Sequence, residues 1–322
     1  MSSILVTGAA GFLGSHMVLS LLRDGHRVIG IDNLITGKPE NIRKLAADGR
    51  FAFVNGDVTD PNVCKLPQLA EVTEIYHLAS PASPKFYQRF PFETIAVNTS
   101  GTKNMLELAR RNGAKLVFSS TSEAYGDPLV HPQSEQYLGN VSTWGPRACY
   151  DESKRLGEVY CYEYSSRFGV AVKVARIFNT YSAGLRNDDG RVISNFVTQA
   201  ITGEDLTVYG DGSQTRSFCY VDDTIRGLRL LMEKDEANGQ IVNIGNPAEY
   251  SVLEVARMVI RLSGSASGIV FLPLPKDDPK VRRPDISKAI SLLGWQPLIS
   301  LEEGLRLTIE TYRKRMQEGG GE

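Results

Sequence analysis

Apolar residues in the first half of the chain fall into short runs. Longer stretches separate them, in which apolar positions recur every three or four residues. Ile4-Leu5-Val6 and Val28 to Ile31 are unbroken apolar runs of the kind that form strands buried on both faces. Met17, Val18, Leu21 and Leu22 between them keep helical spacing. The same alternation predicts strands over 3–7, 27–31, 51–54, 74–78, 115–119 and 171–176. It predicts helices over about 12–24, 60–70, 91–112 and 150–168. Strand and helix in alternation make βαβ units. With right-handed crossovers these give an α/β fold, a Rossmann-type doubly wound parallel sheet with its ligand crevice at the carboxyl ends of the strands.

After about residue 178 the segments shorten, with more Gly, Pro and polar residues between them. Tyr209-Gly210-Asp211-Gly212 is a turn signal, and Ser300 with Glu303 has the spacing of a capping box opening a last amphipathic helix. The expected organisation is a Rossmann domain over 1–178 and a smaller C-terminal substrate-binding lobe over 179–316, interleaved with the first. A frayed tail is expected over 317–322.

Composition narrows the class. The 322 residues carry 36 Lys and Arg against 37 Asp and Glu, a formal charge of −1, so neither nucleic acid nor an anionic membrane is an expected partner. No apolar run is long enough to span a bilayer, and the first strand begins too early for a signal peptide to precede it. Cys64, Cys149, Cys161 and Cys219 have neither paired nor metal-type spacing and read as free thiols in a reducing cytoplasm. The four histidines are scattered, so no metal site is expected, and His77 at a strand end reads as packing.

The glycine run Gly8-Ala9-Ala10-Gly11-Phe12-Leu13-Gly14 lies between the first strand and the first helix. There, bare backbone N–H groups and a positive helix end face a phosphate. The second strand ends in Asp32, whose carboxylate accepts from a ribose 2′-hydroxyl and repels a 2′-phosphate. Strand, turn, helix, strand and acid in that order point to NAD rather than NADP. Asp57, Leu78-Ala79-Ser80 and Ser119 to Glu123 also fall at predicted strand ends.

Tyr150 and Lys154 are four residues apart, on one face of a predicted helix. An ammonium near a phenol favours the phenolate, which can take a proton from a substrate hydroxyl near neutral pH. Ser119-Ser120-Thr121-Ser122-Glu123 follows the apolar strand Leu116-Val117-Phe118. Its hydroxyls can bond a sugar hydroxyl or a developing oxyanion, and Glu123 can act as acid or base or orient a water.

Together these features resemble the extended short-chain dehydrogenase/reductase family, and within it the UDP-glucuronate decarboxylases (UDP-xylose synthases). Further segments carry the resemblance: His77 to Pro84, Tyr125 to Pro128, Gly145 to Glu152, Arg176 to Tyr181 and Asp188 to Val192. Ser194 to Phe196, Thr207 to Gly212, Gln214 to Phe218 and Arg282 to Asp285 complete them. Family 4,6-dehydratases usually carry Thr-Asp-Glu where this chain has Thr121-Ser122-Glu123, and the common 4-epimerases usually lack an acid at the Glu123 position. A serine cannot readily supply the proton that expels a C6 hydroxyl.

The resemblance implies a tightly held, recycled NAD bound by Gly8, Gly11, Phe12, Leu13, Gly14, Asp32, Asn33, Asp57, Val58, Leu78, Ala79, Ser80, Asn98, Tyr150, Lys154 and Arg176. It implies catalytic roles for Tyr150, Lys154, Thr121, Ser122 and Glu123. A UDP-sugar would meet Pro84, Lys85, Tyr87, Asn179, Arg191, Val192, Asn195, Tyr209, Gln214, Arg216 and Arg282. Arg191, Arg216 and Arg282 would serve the pyrophosphate and uridine, with Arg283 the alternative to Arg282. The implied reaction oxidises C4 of UDP-glucuronate, loses CO2 from the resulting β-keto acid and reduces C4 again to give UDP-xylose. A UDP-sugar 4-epimerase or 4,6-dehydratase is the alternative chemistry on the same fold, and a non-catalytic NAD-binding sensor is the third reading. The resemblance further implies a homodimer through helices 91–112 and 150–168.

Overall fold

The computed structural model describes residues 3–185, 190–273 and 281–317. A seven-stranded parallel sheet forms its centre. Six strands come in chain order: β1 (Ser3–Thr7), β2 (Arg27–Asp32), β3 (Phe51–Asn55), β4 (Val72–His77), β5 (Lys115–Thr121) and β6 (Val172–Ile177). The spatial order is β3-β2-β1-β4-β5-β6, and the strand Ile241–Ile244 then pairs in parallel with β6. Leu5 is aligned with Ile29 on one side and Ile75 on the other. The order reverses beside β1, so the carboxyl ends of β1 and β4 splay apart into a crevice.

Both sheet faces are covered. Ile4 and Val6 point into a layer with Met17, Leu21, Leu228 and Trp295. Leu5 points into the opposite layer with Ile75, Leu106, Leu116 and Phe118. The strict alternation along β1 is the pleat itself, and each fully buried aliphatic side chain contributes roughly 1.5–3 kcal/mol. A third apolar cluster joins Phe196, Val197, Val255, Leu305 and Ile309 beyond the sheet.

The structure departs from the sequence expectation in three places. Residues 60–70 form two short 3₁₀ turns, Pro61–Lys65 and Pro67–Leu69, rather than one helix. Pro67 lacks the N–H that a continuous helix would need there. The expected helix over 91–112 is three pieces: Pro91–Ala96, a wide π turn at Val97–Gly101, and Thr102–Asn112. The strand Ile241–Ile244, too short to stand out by pattern, was not anticipated. At the far end, the Glu303 N–H donates to the Ser300 hydroxyl at 3.2 Å as the helix Leu301–Gln317 begins. Residues 318–322 of the expected frayed tail, and Asp188-Asp189 of the quoted motif, lie outside the described residues. Among the described residues, no helix is long and apolar enough to cross a membrane, and no His, Cys, Asp and Glu cluster could hold a metal ion.

Candidate active site

The glycine turn is shaped by close backbone approach. Gly8 has φ +71°, and its N–H donates to the Ile31 carbonyl at 2.8 Å, tying the turn to β2. A Cβ on Gly8 would lie 2.9 Å from the Ala79 backbone, and one on Gly14 would lie 1.9 Å from the Gly8 carbonyl oxygen. Neither position tolerates a side chain. The helix Phe12–Arg23 starts directly after Gly11, so its first amides open on the crevice. Asp32 closes the other side. Its carboxylate accepts from the Ala10 N–H at 2.9 Å and the Leu34 N–H at 2.8 Å. Burial raises the Asp32 pKa, against those amides. The Asn33 amide donates to Asp57 at 3.0 Å, joining the ends of β2 and β3.

One continuous cavity of about 450 Å³ runs from this turn towards Arg191, Arg216 and Arg282. Its walls include Gly8, Gly11, Phe12, Leu13, Gly14, Asp32, Asn33, Asp57, Val58, Leu78, Ala79 and Ser80. Thr121, Ser122, Glu123, Tyr150 and Lys154 follow, and then Pro84, Tyr87, Asn179, Arg191, Val192, Arg216 and Arg282. The shape and lining fit NAD: a glycine cradle no Cβ could enter, a helix N-terminus for the pyrophosphate, and an acid at the end of β2 for the ribose.

Tyr150 and Lys154 lie on the helix Ala148–Phe168, both buried. The phenol ring stacks on Tyr87, with centroids 5.0 Å apart and planes 7° from parallel. Lys154 was expected to hold the Tyr150 pKa down, and in this structure it does not bond the phenol. Lys154 Nζ donates to the Ser119 carbonyl at 2.7 Å and lies 5.9 Å from the Tyr150 ring centroid. Burial pushes the Tyr150 phenol up to about 12, opposed by a hydrogen bond with Thr121. Burial also lowers Lys154 to about 7. Desolvation is the largest cause at both groups. His77 sits beneath, between the hydroxyls of Thr7 at 2.7 Å and Thr102 at 3.2 Å, and burial lowers its pKa to about 3.

Glu123 is the second residue of the 3₁₀ turn Ser122–Tyr125 after β5, and two arginines grip it. Arg147 Nη2 donates to Oε2 at 2.5 Å, and Arg282 Nη1 donates to Oε1. Burial opposes ionisation, but the two guanidiniums prevail and hold the Glu123 carboxyl near 2. Arg282 also donates to the Gly126 carbonyl at 3.1 Å. Its segment is strapped down by Gln133, whose side chain accepts from the Arg283 N–H at 2.9 Å. Arg282, expected at a phosphate, pairs here with Glu123 and the Gly126 carbonyl. Arg147 was not among the expected site residues. Its place three residues before Tyr150, one helical turn away, is the signal that could have found it.

Several expected residues lie off the cavity. Arg176 forms a forked pair with Glu158, at 2.9 and 2.7 Å, and lies over the Tyr125 ring. Glu158 also accepts from the Ser120 hydroxyl at 2.5 Å, so Arg176 braces β5 from behind rather than lining the cofactor strip. Asn98 is buried in the π turn, its amide donating to Ser153 at 3.0 Å behind the Tyr150 helix. Lys85 faces outward beside Phe86, and Asn195 lies one turn into the helix Val192–Thr202. Gln214 donates to the Tyr209 carbonyl at 2.8 Å, and neither borders the cavity.

A glycine cradle and acid suited to NAD, in one cavity with a Tyr–Lys pair, define a scaffold of the short-chain dehydrogenase/reductase type, and comparison agrees. The model of the NAD dependent epimerase/dehydratase family matches residues 4–245. The chain belongs to this family. It is 51% identical over 314 residues to UDP-glucuronic acid decarboxylase 1 of Xenopus tropicalis, covering 98% of this chain and 73% of that one. It is 49% identical to UDP-glucuronic acid decarboxylase 6 of Arabidopsis thaliana, covering 97% of this chain and 89% of that one. Among solved structures, UDP-glucuronic acid 4-epimerase from Bacillus cereus in complex with UDP-glucuronic acid and NAD superposes with a TM-score of 0.87. The two are 32% identical over 97% of this chain and 99% of that one.

Proposed function

We propose that the protein is a UDP-glucuronate decarboxylase that makes UDP-xylose and CO2. The observation that carries this reading is Glu123, clasped by Arg147 and Arg282 beside Tyr150, following Thr121-Ser122 at the end of β5. Relatives about half identical over nearly the whole chain carry the decarboxylase name.

The glycine turn and Asp32 would hold NAD, with Lys154 and Tyr150 at its reactive end. Bound there, the cofactor would supply a hydride acceptor for oxidation at C4 of the sugar and the hydride donor for its later reduction. Tyr150 takes the C4 hydroxyl proton. Burial raises the phenol's pKa, and the positive charge of Arg191 works against that rise. Oxidation leaves a ketone β to the C5 carboxylate, so CO2 departs as the electron pair moves onto the C4 oxygen. Thr121 and Tyr150 hydrogen-bond that oxygen as charge develops. Ser122 carries no acid able to expel a C6 hydroxyl, which disfavours 4,6-dehydration. Arg191 and Arg216 serve the pyrophosphate, where forked guanidiniums suit paired oxygens. Residues beyond about 179 form most of the UDP-sugar lobe.

A 4-epimerase is the second reading, because the 32%-identical epimerase structure shares the fold. Mass spectrometry of the product separates them. Decarboxylation lowers the nucleotide-sugar mass by one CO2, and an unchanged mass with a new retention time would replace this reading with epimerisation.

The active form is a cytoplasmic homodimer in this reading. The helices Pro91–Ala96 and Ala148–Phe168 expose Phe92, Ile95, Leu156, Val159 and Tyr162 on one side. Sedimentation equilibrium should give twice the chain mass, and a monomer alone would contradict it.

A further inference from the structure

The two arginines on Glu123 are not equivalent. Arg282 is fixed: its side chain is 4% exposed, it bonds the Gly126 carbonyl, and its own carbonyl accepts from Ser217 at 3.0 Å. Arg147 is less enclosed, with 19% of its side chain exposed, and it heads the helix that carries Tyr150. Each guanidinium donates to only one oxygen of Glu123. Two cations therefore face one carboxylate on the cavity wall. Burial and the charge of Glu123 hold back ionisation of the further acid that acts on Arg147, Asp151, so it offsets this excess less than an exposed carboxylate would.

We propose that Arg147 is a specificity-determining residue that makes the sugar end of the cavity select a nucleotide sugar bearing a carboxylate over a neutral hexose. The proposal rests on the decarboxylase reading and deepens it. An incoming carboxylate meets the remaining positive charge in a poorly solvated site, where attraction between opposite charges is strong. A neutral hexose shields the same cation from water and offers nothing in return. Glu123 completes the device. By accepting one bond from each guanidinium it draws part of their charge away from the substrate carboxylate. Undiluted, that charge would stabilise the carboxylate that loss of CO2 must disperse, favouring the ground state over the transition state. Arg147 thus acts on capture of the substrate, and Glu123 keeps that capture from slowing the chemistry.

The test measures dissociation constants for UDP-glucuronate and UDP-glucose by calorimetry, on NAD-loaded protein carrying Tyr150→Phe to block turnover. Adding Arg147→Gln should weaken UDP-glucuronate about tenfold or more, the scale of one charge-assisted contact. UDP-glucose should move by less than about twofold, because the lost charge has no partner on that ligand. Arg147→Lys, which keeps the charge, should keep the preference. Equal weakening of both ligands by Arg147→Gln, or no weakening, overturns the proposal, and so does loss of preference in the lysine variant. Wild-type turnover separates the two levels. If wild type releases CO2 from UDP-glucuronate but the preference ignores Arg147, only this inference fails. If wild type prefers UDP-glucuronate through Arg147 without releasing CO2, only the decarboxylase reading fails.

Discussion

Replacing Asp151 with asparagine should change how the stability of the protein depends on pH. Asp151 follows Tyr150 on the helix, is buried, and has one carboxyl oxygen, Oδ1, with no hydrogen-bond partner. Burial first, and the negative charge of Glu123 second, push its carboxyl from 3.8 up to about 7. The unfolded chain therefore releases this proton near 3.8, while the folded chain keeps it until about 7. Across that window the folded state binds more protons, so unfolding becomes easier as pH rises. Below the window the group contributes nothing; above it the full penalty applies. The shift from 3.8 to about 7 corresponds to about 4 kcal/mol. Asparagine carries no such penalty, but its buried amide costs about 1–3 kcal/mol if left unpaired, at every pH. The quantity to compare is therefore the change with pH. Urea unfolding at pH 4 and pH 8, at equal NAD concentration, should show Asp151→Asn gaining about 4 kcal/mol on wild type between the two. A stability difference that stays constant with pH would refute the reasoning, since a neutral buried acid must show this slope.

Two further substitutions test the site. Tyr150→Phe should lower turnover by at least about a hundredfold, the scale of a lost general base, while the NAD content of the purified protein stays at wild-type level. Near-normal turnover would remove Tyr150 as the base. Gly14→Ala puts a Cβ 1.9 Å from the Gly8 carbonyl oxygen, so the backbone itself must move. A cost of about 1–3 kcal/mol should lower the melting temperature by roughly 3–10 °C and strip NAD from the purified protein. A variant that melts like wild type and keeps its NAD would contradict the close-approach argument.

The parts of the fold that could be read in the sequence are those where one local rule acts alone. β1, β2 and β5 announce themselves because buried parallel strands carry continuous apolar runs, and the glycine turn because only glycine fits where Gly8 and Gly14 sit. Ile241–Ile244 did not, since four residues carry no period and their place beside β6 depends on the long-range crossover. Residues 60–70 kept a helical pattern that Pro67 overrides. Charged residues were hardest. Nothing local distinguishes Arg282, which binds Glu123, from an arginine at a phosphate, nor Arg176, which pairs with Glu158 behind β5. Arg147 sat unremarked beside Tyr150 because its partner Glu123 is 24 residues away. The Tyr–Lys spacing correctly put both side chains on one helix face, but spacing carries no information about burial, and burial decides both pKa values.

The most direct test of the central claim is an NMR time course of the purified protein with UDP-glucuronate and no added NAD. The account predicts that UDP-xylose accumulates through many turnovers as the carboxylate carbon is lost, with the retained cofactor recycled each time. UDP-galacturonate in its place, or an unchanged spectrum even after NAD is supplied, would contradict it.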